Sequence, residues 1–193
     1  WNNLRHHACS EIRAATLSGD CRWTREINRH NYSFLRQFQN CARRRATLSV
    51  RGNAACPDDE TAARVVDEVV ARAGGLAILV NNAGKQTAVK TIADLTTEQF
   101  DATFKTNVYA MFWITKAAVP HLKPGSAIVN TSSVNAYQPS EILLDYAMTK
   151  AAIMNFSKGL AKQLAKRGIR VNAVAPGPFW TPLQVAGGQT EEN

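Results

Sequence analysis

Hydrophobic positions along this chain fall into two regimes that meet near Pro57. From Asp58 onward they repeat legibly. Ala63, Val66, Val69 and Val70 recur at helical spacing behind Asp58, Asp59 and Glu60, acids that suit the positive end of a helix, and Gly74 and Gly75 close the run. Leu76 to Val80 is continuously apolar, which predicts a central parallel strand covered on both faces and ending in Asn81-Asn82-Ala83-Gly84. The next helix is predicted from Thr97, capped by Thr96 or Thr97, to about Val119. Phe100, Phe104, Asn107, Met111 and Ile114 share one face of it, and Tyr109, Phe112 and Trp113 make the other side apolar too, so burial all round is expected.

Pro120, His121 and Pro124-Gly125 break that helix, and Ala127 to Asn130 reads as the next strand. His121 is expected at the exposed helix end, without a part in catalysis. A further helix carries Tyr146, Lys150, Ile153, Ser157, Leu160 and Leu164 on one face and stops at Arg167-Gly168. Ile169 to Ala175 then reads as a parallel strand that delivers Pro176-Gly177 to the carboxyl edge of the sheet. Strands alternating with helices give an α/β fold with a parallel sheet.

Before Pro57 the pattern fails. There is no clear alternation, only weak helical repeats such as Phe34, Leu35 and Phe38, and no strand is predicted. Composition draws the same boundary, dividing an Arg/Cys-rich segment, 1–56, from a partial domain, 57–193. All four cysteines, Cys9, Cys21, Cys41 and Cys56, lie in the first segment, which has no lysine. It holds ten arginines against three acids, whereas the remainder has thirteen Lys plus Arg against twelve acids, so the net charge of +8 belongs almost wholly to the segment. A basic whole-molecule surface is therefore not implied.

Three readings of the segment compete. Arg43, Arg44 and Arg45 could hold phosphates while Trp23, Tyr32 and Phe34 stack on bases. Its cysteines with His6, His7 and His30 could hold zinc, although no C-x-x-C pair is present. The preferred reading is that it does not encode a natural fold segment, as translation in a shifted frame would give. Arg-rich, acid-poor targeting peptides share its composition. No nucleic-acid partner, metal or membrane span is expected; no run approaches the ~20 apolar residues a spanning helix needs. The lack of cysteine from Pro57 onward suits the cytoplasm.

The chemistry concentrates between Ile128 and Lys150. Ser133 lies thirteen residues before Tyr146, and Tyr146 four before Lys150. Four residues is about one helical turn, so the phenol and the ammonium share a face. A tyrosine pKa near ~10 makes a poor acid at neutral pH, and a fixed neighbouring positive charge is expected to lower it. Tyr146 is thus a candidate general acid/base. A lysine on an otherwise apolar face is costly unless it has work to do. Asn107, amid apolar neighbours, must be paired: it is either a satisfied structural amide or part of the site.

Taken together, NNAG at Asn81 to Gly84, Asn107, Ser133, Tyr146 with Lys150, and PGPFWT from Pro176 to Thr181 resemble the short-chain dehydrogenase/reductase family, in its order and at its spacing. The likeness covers about Asp59 to Thr181, and its wording is most similar to the bacterial aldehyde reductase and glucose dehydrogenase-like branch. It implies a Rossmann-like, doubly wound parallel sheet, incomplete in that the family's first strands are not recognisable and its last strand is missing, and an NAD(P)-dependent oxidoreductase moving a hydride between nicotinamide and a carbonyl or secondary alcohol. Ser133 would hold the carbonyl oxygen, Tyr146 would exchange the proton, Lys150 would lower the tyrosine pKa and bind ribose hydroxyls, and Asn107 would hold a water that completes the proton path.

The resemblance further implies cofactor contacts at Asn82, Ala83, Gly84, Tyr146, Lys150, Pro176, Gly177 and Thr181, with NADP or NAD as cofactor. It implies a homodimer or homotetramer built through the helices near 97–119 and 145–167. The family's glycine-rich phosphate turn, expected about 80 residues before NNAG and so near Asn2, is not recognisable, and the substrate lid beyond Leu183 is missing. These departures leave an alternative: a non-catalytic remnant or interaction protein of the same family.

Overall fold

The computed structural model describes residues 13–15, 47–50, 56, 58–179 and 181–188. Its centre is one sheet of five strands in the order β1 (Arg13–Ala15), β2 (Thr47–Val50), β3 (Leu76–Asn81), β4 (Leu122–Thr131) and β5 (Arg170–Val174). β1 runs antiparallel to β2, and β2 to β5 are mutually parallel. Register aligns Leu48, Leu79, Ile128 and Val171 in one row across four strands, and all four side chains are buried. This row is the floor of the core.

Among the described residues three helical elements cover it. α1 (Asp59–Ala73) is capped by Asp58, whose Oδ1 accepts the Thr61 N–H at 2.7 Å, and it ends on Gly74 at φ 72°, a left-handed turn that suits glycine. Its buried stripe is Ala62, Val66 and Val69; Ala63, expected there, is half-buried one position round. α2 (Thr97–Phe104) passes through a π-helical turn (Lys105–Tyr109) into α3 (Ala110–Ala118), and α4 (Leu144–Leu164) buries Tyr146, Lys150, Ile153, Ser157 and Leu164. α5 (Pro182–Ala186) is a short helix at the carboxyl edge of the sheet, where the Ala88 N–H donates to Gly187 C=O at 2.7 Å.

Three expectations are corrected. β2 lies in the segment for which no strand is predicted; it is only four residues long, too short to show a period, and its strand identity comes from pairing with β3. On β3, Ala77, Leu79 and Asn81 are buried while Ile78 and Val80 are half-buried, because the described helices pack on the face that carries Leu79. The α2–α3 helix is not buried all round: Tyr109 and Phe112 are each 44% exposed, on the side facing away from the sheet. The residues of the nucleic-acid reading, those of the zinc reading other than Cys56, and the phosphate turn expected near Asn2 fall outside the described residues; Cys56 is buried, its Sγ 3.6 Å from Asp58 C=O.

Candidate active site

The carboxyl ends of β3, β4 and β5 open onto one edge, and each hands over a candidate residue there. After β4 the Ser132 N–H donates to Val174 C=O at 2.8 Å and the Val134 N–H to Pro176 C=O at 2.9 Å, so the loops after β4 and β5 are stitched together. That stitch brings Pro176 beside the Ser133 turn. Ser133 is buried, and its Oγ accepts the Asn135 N–H at 3.2 Å. The chain then enters α4, where Tyr146 and Lys150 stand one turn apart with Lys150 Nζ 5.3 Å from the phenol ring centroid. The spacing argument for a shared face holds.

Lys150 is 2% exposed, and its Nζ donates to Thr131 C=O, the last carbonyl of β4, at 2.8 Å. Ser132 Oγ donates to Lys150 C=O at 2.8 Å and fixes the same turn of α4 from below. Burial draws the Lys150 pKa down to about 8. Burial also raises that of Tyr146, with the hydrogen bond to the Ser133 hydroxyl pulling the other way. The sequence predicts a lowered tyrosine; the structure gives the reverse. Removing the phenol from water penalises the phenolate, and a lysine whose own charge is weakened by burial does not offset that penalty.

Asn107 sits in the π-helical turn, where the widened helix pushes it toward the loop after β3. Its Oδ1 accepts the Lys85 N–H at 2.7 Å, while its Nδ2 donates to Lys85 C=O at 2.8 Å and to Thr149 Oγ1 at 2.9 Å. The amide clamps the backbone just past Gly84 against α4. Its side chain thus binds both polar groups of Lys85 and the Thr149 hydroxyl.

Asn81 and Asn130, side by side at the ends of β3 and β4, join at 2.8 Å and continue to Thr115 and Ser157 as a buried polar chain. Asn82, exposed at the edge, accepts from Thr131 Oγ1 at 2.7 Å. At Gly84 an added Cβ would stand 3.7 Å from Lys150 Nζ and 4.0 Å from Asn107 Oδ1. Glycine there leaves open the space directly in front of the lysine, which fits a flat group with hydroxyls to bind.

Gly177 is exposed beyond β5, and Thr181 begins α5; neither has a described contact with Tyr146 or Lys150. Residues not singled out from sequence include Thr103, Asp145 and Thr149, all fully buried and polar. The sign was available: Thr103 and Asn107, like Asp145 and Thr149, are four apart, polar and on inward faces, and such groups require partners.

The sequence profile of the short chain dehydrogenase family matches residues 27–192. The chain belongs to that family. An uncharacterised oxidoreductase of Escherichia coli, YghA, is 58% identical over 135 residues, 70% of this chain and 46% of that protein. The NADPH-dependent aldehyde reductase 1, chloroplastic, of Arabidopsis thaliana is 51% identical over 125 residues, 65% of this chain and 43% of that protein. Among solved structures, a short chain dehydrogenase from Burkholderia cenocepacia in complex with NADP superposes with a TM-score of 0.64 at 40% identity, covering 67% of this chain and 53% of that one. The chain thus spans about half the length of the curated relatives it matches. The family match also begins earlier than the motifs do, at residue 27, so it takes in β2. Short chain dehydrogenases have the Rossmann-type α/β fold, of which this chain shows part, and use NAD or NADP.

Proposed function

We propose that this chain carries the proton-transfer half of an NAD(P)-dependent carbonyl reductase or alcohol dehydrogenase, with Tyr146 as general acid/base. The observation that supports this most is the burial of Tyr146 against both the Ser133 hydroxyl and the Lys150 ammonium at the open carboxyl edge of the sheet. A bound nicotinamide supplies or accepts the hydride. Ser133 holds the substrate oxygen by hydrogen bond, and Tyr146, whose phenol carries its proton at neutral pH with or without the upward shift that burial gives it, donates to that oxygen in reduction. Lys150 holds its place through Thr131 C=O and presents its remaining N–H groups to the space left by Gly84, where ribose hydroxyls fit. Asn107 keeps that space open by pinning Lys85. Asn82, Ala83, Gly84, Pro176, Gly177 and Thr181 line the same edge as cofactor contacts.

Substrates on this reading are small carbonyl or alcohol compounds, and the aldehyde reductase named above makes NADPH with an aldehyde the first pair to try. A homo-oligomer through α2, α3 and α4 follows from the same reading. A groove of about 610 Å³ between α2 and α4 is bordered by Ile92, Phe100, Leu144 and the exposed Met148, and the same helical run exposes Tyr109 and Phe112. Light scattering is expected to give a dimer or tetramer, and a monomer for Met148→Glu. Fluorescence titration with NADPH and NADH tests the enzyme reading. Saturable binding is expected; a folded chain that binds neither would identify it as a non-catalytic member of the family.

A further inference from the structure

Asp145 is 0% exposed and directly precedes Tyr146, yet the proton-transfer chemistry above gives it nothing to do. An uncompensated carboxylate in that position is costly, and an apolar side chain would fill the space at less expense. What the carboxylate does is visible in its bonds. Oδ1 accepts the backbone N–H of Tyr146 at 2.8 Å, and Oδ2 accepts from Thr103 Oγ1 on α2 at 2.6 Å. The cap position of α4 is held by Leu143, which cannot accept a first-turn N–H with its side chain. Asp145 takes over that task two residues on, still in the first turn, at the end of the helix that favours negative charge.

The bond to Thr103 has a counterpart. One turn further along both helices, Asn107 Nδ2 donates to Thr149 Oγ1 at 2.9 Å, and the Thr149 hydroxyl itself donates to Tyr146 C=O at 2.7 Å. Thr103 and Asn107 are four apart, as are Asp145 and Thr149, so α2 with its π-helical turn and α4 are joined by a ladder of two buried rungs. Tyr146 and Lys150 are each the next residue after a rung. Both backbone polar groups of Tyr146 are thereby fixed, its N–H to Asp145 and its C=O to Thr149.

We propose that Thr103 and Asp145 are positioning residues: the hydroxyl–carboxylate bond between α2 and α4 sets where the Tyr146 phenol stands relative to Ser133 and Lys150. The inference rests on the reductase reading for its kinetic test but not for its structural one. Thr103→Val removes the hydroxyl and keeps the shape. It should lower kcat for NADPH with propanal by about 10- to 100-fold, the scale on which small misplacements of reacting groups act, and leave the KM for NADPH unchanged. Thr103→Ser, which restores the donor, should return wild-type kcat. In ring-labelled tyrosine spectra, with the signal assigned by its loss in Tyr146→Phe, Thr103→Val should shift the Tyr146 resonance and Thr103→Ser should not.

Wild-type kcat together with an unshifted Tyr146 signal in Thr103→Val would overturn the proposal. If the wild-type chain turns over no carbonyl, the reductase reading fails and the ladder is judged on the Tyr146 signal alone. Should Thr103→Val not fold, Thr103→Ala replaces it: alanine suits the helix, removes the same hydroxyl, and leaves Asp145 Oδ1 on the Tyr146 N–H. That variant should fold with a displaced Tyr146 signal; an unchanged one counts against the ladder.

Discussion

Replacing Lys150 with methionine tests the electrostatics of the site without any assumption about substrate. Burial moves the lysine pKa from 10.5 to about 8, so the folded state disfavours the charge that the unfolded chain retains. Between those two values the unfolded chain binds more protons, and stability must rise with pH. At about pH 7 nearly the whole penalty is present, on the order of 3 kcal/mol at 1.36 kcal/mol per pKa unit. By about pH 10 most of it has gone, leaving a change of roughly 2–3 kcal/mol due to this one group. Lys150→Met carries no such proton, although it leaves Thr131 C=O without its 2.8 Å donor, a pH-independent loss of about 1–3 kcal/mol. Urea unfolding followed by tryptophan fluorescence, run on both proteins from neutral to alkaline pH, isolates the effect, because other titrating groups cancel in the difference. Wild type should gain on the variant by roughly 2–3 kcal/mol across that range. Parallel curves would refute the reasoning and mean that the lysine charge is not buried at a cost.

Three further outcomes follow from the same contacts. For carbonyl reduction, kcat/KM should fall as pH rises through Lys150's value of about 8, since the ammonium is lost while the raised pKa of Tyr146 keeps its proton; a profile flat through that range would contradict this. Asn107→Ala should destabilise by about 2–4 kcal/mol in urea unfolding, because it strips partners from Lys85 N–H, Lys85 C=O and Thr149 at once. At Gly187 an added Cβ would lie 2.6 Å from Gln86 Cγ, so Gly187→Ala should cost about 1–3 kcal/mol of stability. A double-mutant cycle with Gln86→Ala should then show a positive coupling that recovers part of the loss.

Much of this arrangement was legible in the residues. The helix of α4 and its inward face could be read from period alone, and Tyr146 with Lys150 from a spacing of four. The strand β3 and its Asn-Asn-Ala-Gly turn stood out because a short apolar run ended on small and amide residues. Three things were not legible for physical reasons. β2 is four residues of ordinary composition, and only the neighbouring strand makes it one. The direction of the Tyr146 shift depends on how far the phenol is removed from water, a quantity that spacing does not carry. The π-helical turn at Lys105–Tyr109 was invisible for a related reason: its sequence is compatible with a regular helix, and what stabilises the wider turn is the bonding of Asn107 to a loop twenty-two residues earlier.

The measurement that bears most directly on the central claim is turnover of NADPH with small aldehydes by wild type and by Tyr146→Phe, each first shown to bind NADPH. The phenylalanine variant should still bind the cofactor saturably and, at saturating NADPH, reduce the aldehyde at least about 100-fold more slowly, the loss expected when a general acid is removed. Equal turnover by the two proteins would mean that the proton comes from elsewhere and that Tyr146 is not the acid of this site.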